Sequence, residues 1–273
     1  MQDQMPDTAE HKRYVHDDLI WEYVVCGEGD RVLVLLPGVL GGPHTMQRHI
    51  AAFCNDFRVI ALSLPCFDDL DHFARSLENL LTRELAHDVI LSGSSFGGLL
   101  AQAFLFRMPE RLQGMILSDT GLPNRERGSV SRIACSVARF LPFPIARWLF
   151  LAKINTLFNY PVPAHKEEEL AMRKDALQQW VQSHLKRKLL LNRLDLAAAF
   201  DSKEQLNIEA IRAWSGKMLI TYTEDDPSRD EGLPMEQVYP SAEVFVFPDG
   251  GHLAQMVHFE KYVEVVRNFV ASC

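Results

Sequence analysis

Short runs of apolar residues recur along the chain and are the first feature that predicts structure. Continuous apolar runs of this length are typical of strands buried on both faces of a parallel sheet. We predict strands in LIWEYVV (19–25), RVLVLLP (31–37), FRVIALSLP (57–65), DVILSG (88–93), GMILSD (114–119), KMLITYTEDDP (217–227) and AEVFVFPDGGH (242–252). The polar first dozen residues are predicted to be a loose tail.

Helical patterns separate the runs. Over residues 67–86 the apolar positions fall on one helical face, with Asp68 or Asp69 as the N-cap. The stretch 96–107 is apolar nearly all round, which predicts a helix buried on most sides. A last helix is predicted from about 254 to 271. Strands that alternate with helices predict an α/β fold with a mostly parallel central sheet flanked by helices.

The alternation stops between residues 124 and 214, where only helical patterns occur. It resumes with the strand predicted at 217–227. We therefore predict one α/β core formed by residues 1–123 and 215–273, with a helical insertion at 124–214.

Composition narrows the class of protein. The chain has 273 residues, 47% hydrophobic and 23% charged, which is an ordinary globular balance. Its net charge of −8 argues against nucleic acid as a partner. The five cysteines are scattered without a CxxC pair, so we expect a reducing compartment and neither disulfides nor a zinc site. The N-terminal stretch lacks an apolar signal region, and no run approaches the ~20 apolar residues of a membrane span. We expect a cytoplasmic protein without an integral membrane segment.

The segment SGSSFGG (92–98) carries the candidate chemistry. Gly93 to Gly97 match the pattern G-x-S-x-G around Ser95, between a predicted strand and a predicted helix. A sharp turn at this point exposes the central hydroxyl and directs the new helix's N-terminus at the reaction centre. We predict that Ser95 is a nucleophile and that Ser94 shapes the turn.

A serine nucleophile needs a base, and the base needs a carboxylate. His252 follows the last predicted strand through a Gly-Gly turn and is the candidate base. Asp225 and Asp226, at the end of the preceding strand, are candidate acids, and Asp119 is an alternative. The order serine, acid, histidine fits this kind of site.

Three other histidines have predicted roles different from that of the candidate base. His258 is predicted to be structural, on the last helix. His44 and His49, near the first loop, either line a pocket or lie on the surface.

An oxyanion intermediate needs two backbone donors. The N–H of Phe96, directly after the candidate nucleophile, is one candidate. The loop LLPGVLGGP (35–43) supplies the other, for which we select the N–H of Val39. This loop contains no G-K-[ST], so a phosphate-binding loop is not indicated.

These residues resemble the α/β-hydrolase superfamily over roughly residues 19–271. The resemblance lies in the stretches LLPGVLGG, VIALSLP, LSGSSFGGLLAQAFLFRMPERLQGMILSDTG, LITYTEDDP and PDGGHLAQMVHFEKYVEVVRNFV, which occur in the family's order. It implies an α/β-hydrolase fold with Ser95 as nucleophile, His252 as base and Asp226, rather than Asp225, as acid. It also implies that the insertion is a helical cap over the active site, and that neither a cofactor nor a metal is needed.

Two stretches depart from the family's usual pattern. Pro37 replaces a histidine that is frequent in the first oxyanion loop. The stretch SLPCFDDLDHF (63–73) is similar to the maspardin branch, in which the fold is discussed as an interaction module.

The resemblance and the apolar insertion together predict a serine hydrolase. The expected activity is a carboxylesterase that cleaves a small to medium apolar ester through an acyl-enzyme. The alternatives are a non-catalytic or receptor-like module that binds a ligand or protein, and C–C hydrolase or lyase chemistry with the same triad.

Overall fold

The protein is described by a computed structural model over residues 4–204, 206, 208–227 and 234–273. Within these ranges the strands are β1 (Glu10–His16), β2 (Leu19–Cys26), β3 (Val32–Leu36), β4 (Arg58–Ser63), β5 (Val89–Ser94), β6 (Leu112–Ser118), β7 (Lys217–Thr223) and β8 (Glu243–Phe247). They form one sheet in the order β1-β2-β4-β3-β5-β6-β7-β8. β2 pairs antiparallel with β1 and β4, and the other neighbouring pairs are parallel. The predicted, mostly parallel sheet is confirmed.

The prediction of a loose tail is wrong from residue 10 onward, where β1 begins. Its residues are rich in charge and alternate between exposed and half-buried positions. β1 lies at the edge of the sheet and pairs with β2 along its whole length, from Glu10 opposite Val25 to His16 opposite Leu19. An edge strand needs only one hydrogen-bonded neighbour, so it does not require the apolar run by which the other strands were predicted.

Helices occupy the predicted intervals, and two short ones, at 47–53 and 235–238, were not predicted. Those described are α1 (Gln47–Phe53), α2 (Leu70–Arg83), α3 (Phe96–Leu105), α4 (Arg125–Phe140), α5 (Phe143–Thr156), α6 (Glu167–His184), α7 (Arg187–Lys203), α8 (Ile208–Ala213), α9 (Met235–Val238), α10 (Ala254–Val257) and α11 (Phe259–Ser272). Asp69 caps α2, since its side chain accepts a hydrogen bond from the N–H of His72 at 2.7 Å. The predicted last helix is in fact two helices, because the backbone of His258 (φ −110°, ψ 40°) is not helical.

Helices cover both faces of the sheet. In β3, Leu33 and Leu35 pack into the cluster that contains the apolar residues of α1 and α11. Val34 and Leu36 point the other way, into the cluster that contains those of α2 and α3. Side chains of successive strand residues point to opposite faces, so a strand covered on both sides must be apolar throughout.

α4 to α8 lie between β6 and β7. α5, α6 and α7 contribute to a separate apolar cluster, which includes Ala146, Ile154, Val181 and Leu190. Leu40, from the loop after β3, joins the same cluster and so connects it to the core. None of the helices in the described ranges combines the length and the apolar character that crossing a bilayer would require.

Candidate active site

Ser95 stands on a strained turn between β5 and α3. Its φ of 51° and ψ of −118° lie in a region that side chains other than glycine rarely adopt. Hydrogen bonds hold the residue on both sides, with its N–H donating to Ser118 O and its carbonyl accepting from Gly98 N–H, each at 2.9 Å. Thr120 Oγ1 donates to the same carbonyl at 2.9 Å. The surrounding backbone therefore fixes the conformation that exposes the hydroxyl.

The glycines of the motif have a steric role. A Cβ on Gly93 would lie 2.3 Å from Gly97 O, and a Cβ on Gly97 would lie 2.5 Å from Leu36 O. Real contacts of this kind are longer than 3.0 Å, so a side chain at either position would push the turn apart. The glycines of the motif are therefore required because β5, α3 and the end of β3 approach one another closely.

The structure brings Ser95, His252 and Asp226 into one hydrogen-bonded line. His252 Nε2 lies 2.9 Å from Ser95 Oγ, and His252 Nδ1 lies 3.1 Å from Asp226 Oδ1. Asp226 is buried and the imidazole is mostly buried. A base that accepts the serine proton with one nitrogen while a carboxylate holds the other is the arrangement that activates a hydroxyl for attack.

The loops that carry the base and the acid are tied to each other. Asp225, the other candidate acid, accepts a hydrogen bond from Gly251 N–H at 2.9 Å, and Thr223 Oγ1 donates to Gly251 O at 2.6 Å. Gly251 has a φ of 56°, and a Cβ there would lie 2.1 Å from the ring of Tyr160 in the insertion. Asp225 therefore shapes the histidine loop, and Asp226 contacts the imidazole.

Asp119, the alternative acid, lies beside the hydrogen-bonded line of Ser95, His252 and Asp226 and is not one of its members. It follows β6 with a φ of 47°, is buried, and contacts the Asp226 carboxyl and the Ala254 N–H. Burial, assisted by the neighbouring Asp226 charge, raises the pKa of Asp119 to about 8, although His252 opposes the shift. The raised pKa favours the protonated form of Asp119 at neutral pH. The sequence places Asp119 at a strand end, but it does not indicate that the two acids touch.

Of the two predicted oxyanion donors, Phe96 directly follows the candidate nucleophile and Val39 lies in the loop after β3. Phe96 is the first residue of α3, and N–H groups in a helix's first turn have no acceptor within the helix. Val39 lines the same cavity as Ser95. Their role toward an oxyanion stays a prediction.

A cavity of about 200 Å³ opens at Ser95. Its apolar walls come from the loop after β3 and from the insertion, through Leu36, Val39, Leu40, Ile154, Leu157, Phe158 and Leu177. Polar groups are contributed by Thr45, His49, Ser92, Ser94, Asp119, His252, Gln255 and Tyr262. Among the described residues the lining holds no Lys or Arg. The site therefore suits an uncharged, largely apolar group beside the serine hydroxyl.

The other three histidines considered in the sequence lie in three different environments. His49 lines the cavity, and burial lowers its pKa to about 4, so it is neutral there. His44 instead stacks on Trp180 of α6, with ring centroids 5.2 Å apart. His258 bonds to the carbonyl of Asp249 at 2.9 Å and lies outside the cavity lining.

A mostly parallel sheet with a serine, an acid and a histidine on the loops after β5, β7 and β8 is typical of the α/β-hydrolase class of protein. The Alpha/beta hydrolase family matches residues 33–268, and the chain belongs to that family. The predicted resemblance is confirmed, and with it the prediction of a hydrolase at the level of the family.

Two curated relatives are similar over nearly their whole lengths. The 2-hydroxy-6-oxo-6-phenylhexa-2,4-dienoate hydrolase of Comamonas testosteroni is 28% identical, with 93% of this chain and 92% of the relative covered. The 2-hydroxy-6-oxononadienedioate/2-hydroxy-6-oxononatrienedioate hydrolase 1 of Pseudomonas putida is 25% identical with the same coverage.

Solved structures share the fold. A thermophilic esterase from Thermogutta terrifontis has a TM-score of 0.76 at 18% identity, covering 96% of this chain and 98% of that one. The enol-lactonase from Burkholderia xenovorans LB400 has a TM-score of 0.76 at 14% identity, covering 95% and 100%.

Proposed function

We propose that this protein is a serine hydrolase that cleaves small to medium apolar esters through Ser95, His252 and Asp226. The observation that carries the proposal is the 2.9 Å contact between Ser95 Oγ and His252 Nε2, continued by the 3.1 Å contact to Asp226. The cavity of about 200 Å³ lies below the roughly 300–1,000 Å³ of sites for drug-sized ligands, which favours a small acyl group.

In the proposed mechanism His252 takes the proton of Ser95 as Oγ attacks the ester carbonyl carbon. The resulting oxyanion accepts hydrogen bonds from the N–H groups of Phe96 and Val39. His252 then protonates the leaving alcohol, which leaves an acyl-enzyme. Water, activated by the same imidazole, hydrolyses the acyl-enzyme and restores Ser95. Asp226 holds the imidazole tautomer and stabilises its charged form.

We propose that residues 124–214 form a cap over this site, and that residues 1–123 and 215–273 form the core. The support is that α5 and α6 contribute wall residues such as Ile154 and Leu177, whereas the reacting groups come from core loops. Sequence changes in the cap would then alter substrate choice without changing the chemistry.

The test is a series of p-nitrophenyl esters of increasing acyl length, with fluorophosphonate labelling. We expect Ser95→Ala to lower kcat/KM by at least about 10³-fold and to abolish labelling. Ser94→Ala is the matched control, since it removes the neighbouring hydroxyl, and it should keep most of the activity. Ester turnover that survives Ser95→Ala, or a folded protein that binds esters without turnover, would contradict the proposal.

A second candidate is hydrolysis of a C–C bond beside a ketone, because both relatives are named for such dienoate substrates. Those substrates carry a carboxylate, yet no Lys or Arg lies among the described lining residues. Arg193, a buried cation 5.7 Å from the Phe96 ring, instead donates to backbone carbonyls of Leu64 and Pro65. This difference favours an uncharged ester.

The two candidates are distinguished by one competition. Wild-type protein is assayed on 2-hydroxy-6-oxo-6-phenylhexa-2,4-dienoate and on the best ester of the series. We expect the ester to have the higher kcat/KM. A clear preference for the dienoate would assign the C–C activity.

A further inference from the structure

α4 displays its large apolar side chains to solvent and buries its small ones. Val130, Ile133, Val137 and Phe140 are all exposed, and Phe140 is 89% exposed. At 100° per residue these four positions fall within about 80° of one another. Their spacing therefore makes one continuous stripe along the helix.

The opposite side of α4 faces α7. Its buried residues are Gly128 and Cys135, and a Cβ on Gly128 would lie 2.5 Å from Ser202 Oγ of α7. Amphipathic helices normally bury their large apolar residues. Because α4 reverses this order, packing within the chain does not account for its apolar stripe.

The next helix also exposes large apolar side chains. Phe140 ends α4, and α5 begins three residues later. α5 exposes Ile145, Trp148 and Leu149, with Trp148 65% exposed. We call the exposed apolar residues of α4 and α5 the hairpin face: Val130, Ile133, Val137, Phe140, Ile145, Trp148 and Leu149.

The charge of the hairpin is opposite to that of the chain. Residues 125–156 contain six basic side chains and one acidic one, whereas the whole chain has a net charge of −8. Two of the arginines are paired, Arg127 with Asp201 and Arg139 with Asp195. Arg125, Arg132 and Lys153 are exposed on the same two helices.

We propose that the hairpin face docks on the surface of an anionic phospholipid bilayer. Aromatic and aliphatic side chains next to basic ones are the composition by which interfacial helices insert into the headgroup region. Ionic screening over about 8 Å at physiological salt lets the basic hairpin act separately from the acidic remainder of the chain.

A second copy of this chain fits the face less well. In a two-fold symmetric dimer the same patch meets itself, which would oppose the exposed basic residues of the two copies. A bilayer with negative headgroups supplies the complementary charge. α5 also carries Ile154, which lines the cavity at Ser95, so docking would bring apolar substrates near the site. The docking itself does not depend on the reaction at Ser95.

The test is sedimentation of the full chain with phosphatidylcholine vesicles, with and without 30 mole per cent phosphatidylserine. We expect binding to the anionic vesicles only, weakening as salt is raised. The double variant Phe140→Ala, Trp148→Ala should bind at least about tenfold more weakly, and so should Arg132→Glu, Lys153→Glu. Leu85→Ala, at a 78% exposed leucine outside the insertion, is the matched control and should bind as wild type.

Two further measurements distinguish a loss of membrane binding from a loss of activity or of folding. Turnover of a water-soluble ester and thermal unfolding should be unchanged in the hairpin variants, because their side chains are exposed and outside the cavity. Equal binding to neutral and anionic vesicles, or no loss in either double variant, overturns the proposal. A dimer in light scattering that Phe140→Ala, Trp148→Ala dissociates would assign the face to a second copy instead.

Discussion

Asp119 places a second carboxyl group against the Asp226–His252 pair. Two neighbouring buried acids cannot both be ionised at low cost, so one keeps its proton. Asp226 contacts the imidazole, and the raised pKa of Asp119 favours its protonated form. We therefore expect Asp119 to act as a positioning residue for the Asp226 carboxyl group.

This arrangement predicts a pH-dependent stability difference between wild type and Asp119→Asn. The folded-state pKa of Asp119 is raised to about 8, so the folded chain binds the proton more tightly than the unfolded chain. Wild type should lose stability relative to the variant as pH rises from about 4 to 8, by on the order of 1 kcal/mol per pH unit. Urea unfolding across this range measures it, with exposed Asp17→Asn as the surface control. A constant difference would contradict the assignment.

Gly97→Ala tests the close packing at the turn. Its new Cβ would lie 2.5 Å from the backbone oxygen of Leu36, which cannot move aside like a flexible side chain. We expect a loss on the order of 3 kcal/mol in the free energy of unfolding, together with lower ester turnover. Gly38→Ala is the matched control for stability, since its Cβ meets only Ser94 O at 3.9 Å. Equal unfolding midpoints for the two variants would show that the turn has room.

At the scale of elements, the edge of the sheet is held by one buried glutamate. Glu84 accepts hydrogen bonds from Tyr23 at 2.7 Å, Arg58 at 2.8 Å and Lys12 at 3.1 Å. These partners belong to β2, β4 and β1 in turn. Burial opposes the charge on Glu84, but the hydrogen bonds from Tyr23 and Lys12 outweigh it, so its pKa is held below the usual value.

Glu84→Gln should therefore destabilise the protein at pH 7, by about 2 kcal/mol, because it removes the charge that these donors share. Since the folded pKa is lowered, the wild-type advantage is present above the unfolded pKa. It should be lost as the pH falls through the folded value. Chemical unfolding at a series of pH values from 7 downward tests this, with exposed Glu110→Gln as the control. An advantage that does not decrease as the pH falls would exclude the carboxylate as its cause.

The sequence predicts seven of the eight described strands. Those covered on both faces, such as β3, are continuously apolar, and the alternation of strands with helices indicates the others. β1 has no continuous apolar run and was not predicted. Cross-strand pairing and the Lys12–Glu84 bond hold it at the edge of the sheet. The pattern does not show the break at His258 either, where the side chain bonds to Asp249 O at 2.9 Å.

At the scale of the molecule, a small set of ionic contacts attaches the insertion to the core. Arg48 of α1 bonds to Glu169 of α6 at 2.6 Å and to Glu260 of α11 at 3.4 Å, and lies over the Phe259 ring. His44 adds a stacked contact with Trp180 of α6. These contacts fix α6 above the loop that lines the cavity.

Arg48→Met should loosen α6 while leaving the core intact. Methionine keeps much of the apolar stem but loses the bonds to both glutamates. We expect faster amide hydrogen exchange in residues 167–184 and unchanged exchange in residues 70–83. Mass spectrometry of peptides from both segments measures this. Lys188→Met is the control, because it removes a cation of the insertion. Equal acceleration in both segments would indicate general destabilisation.

The sequence predicts which residues form the candidate site and their order along the chain. It does not predict the contacts between them. Motif spacing and chain order select Ser95, His252 and the Asp225–Asp226 pair, because the carboxyl ends of parallel strands meet at one edge. They do not show which aspartate reaches the imidazole, nor that Asp119 touches Asp226. Those facts depend on loop conformations only a few residues long.

During translation His252 is added well after Ser95, because the two residues lie far apart along the chain. The two residues are 157 positions apart. At about 5–20 residues per second, a ribosome needs roughly 8 to 30 seconds to reach the histidine after it has added the serine. Throughout that interval the nascent chain carries the turn without its base. Under the proposed function, His252 therefore cannot activate Ser95 until all eight described strands have been synthesised.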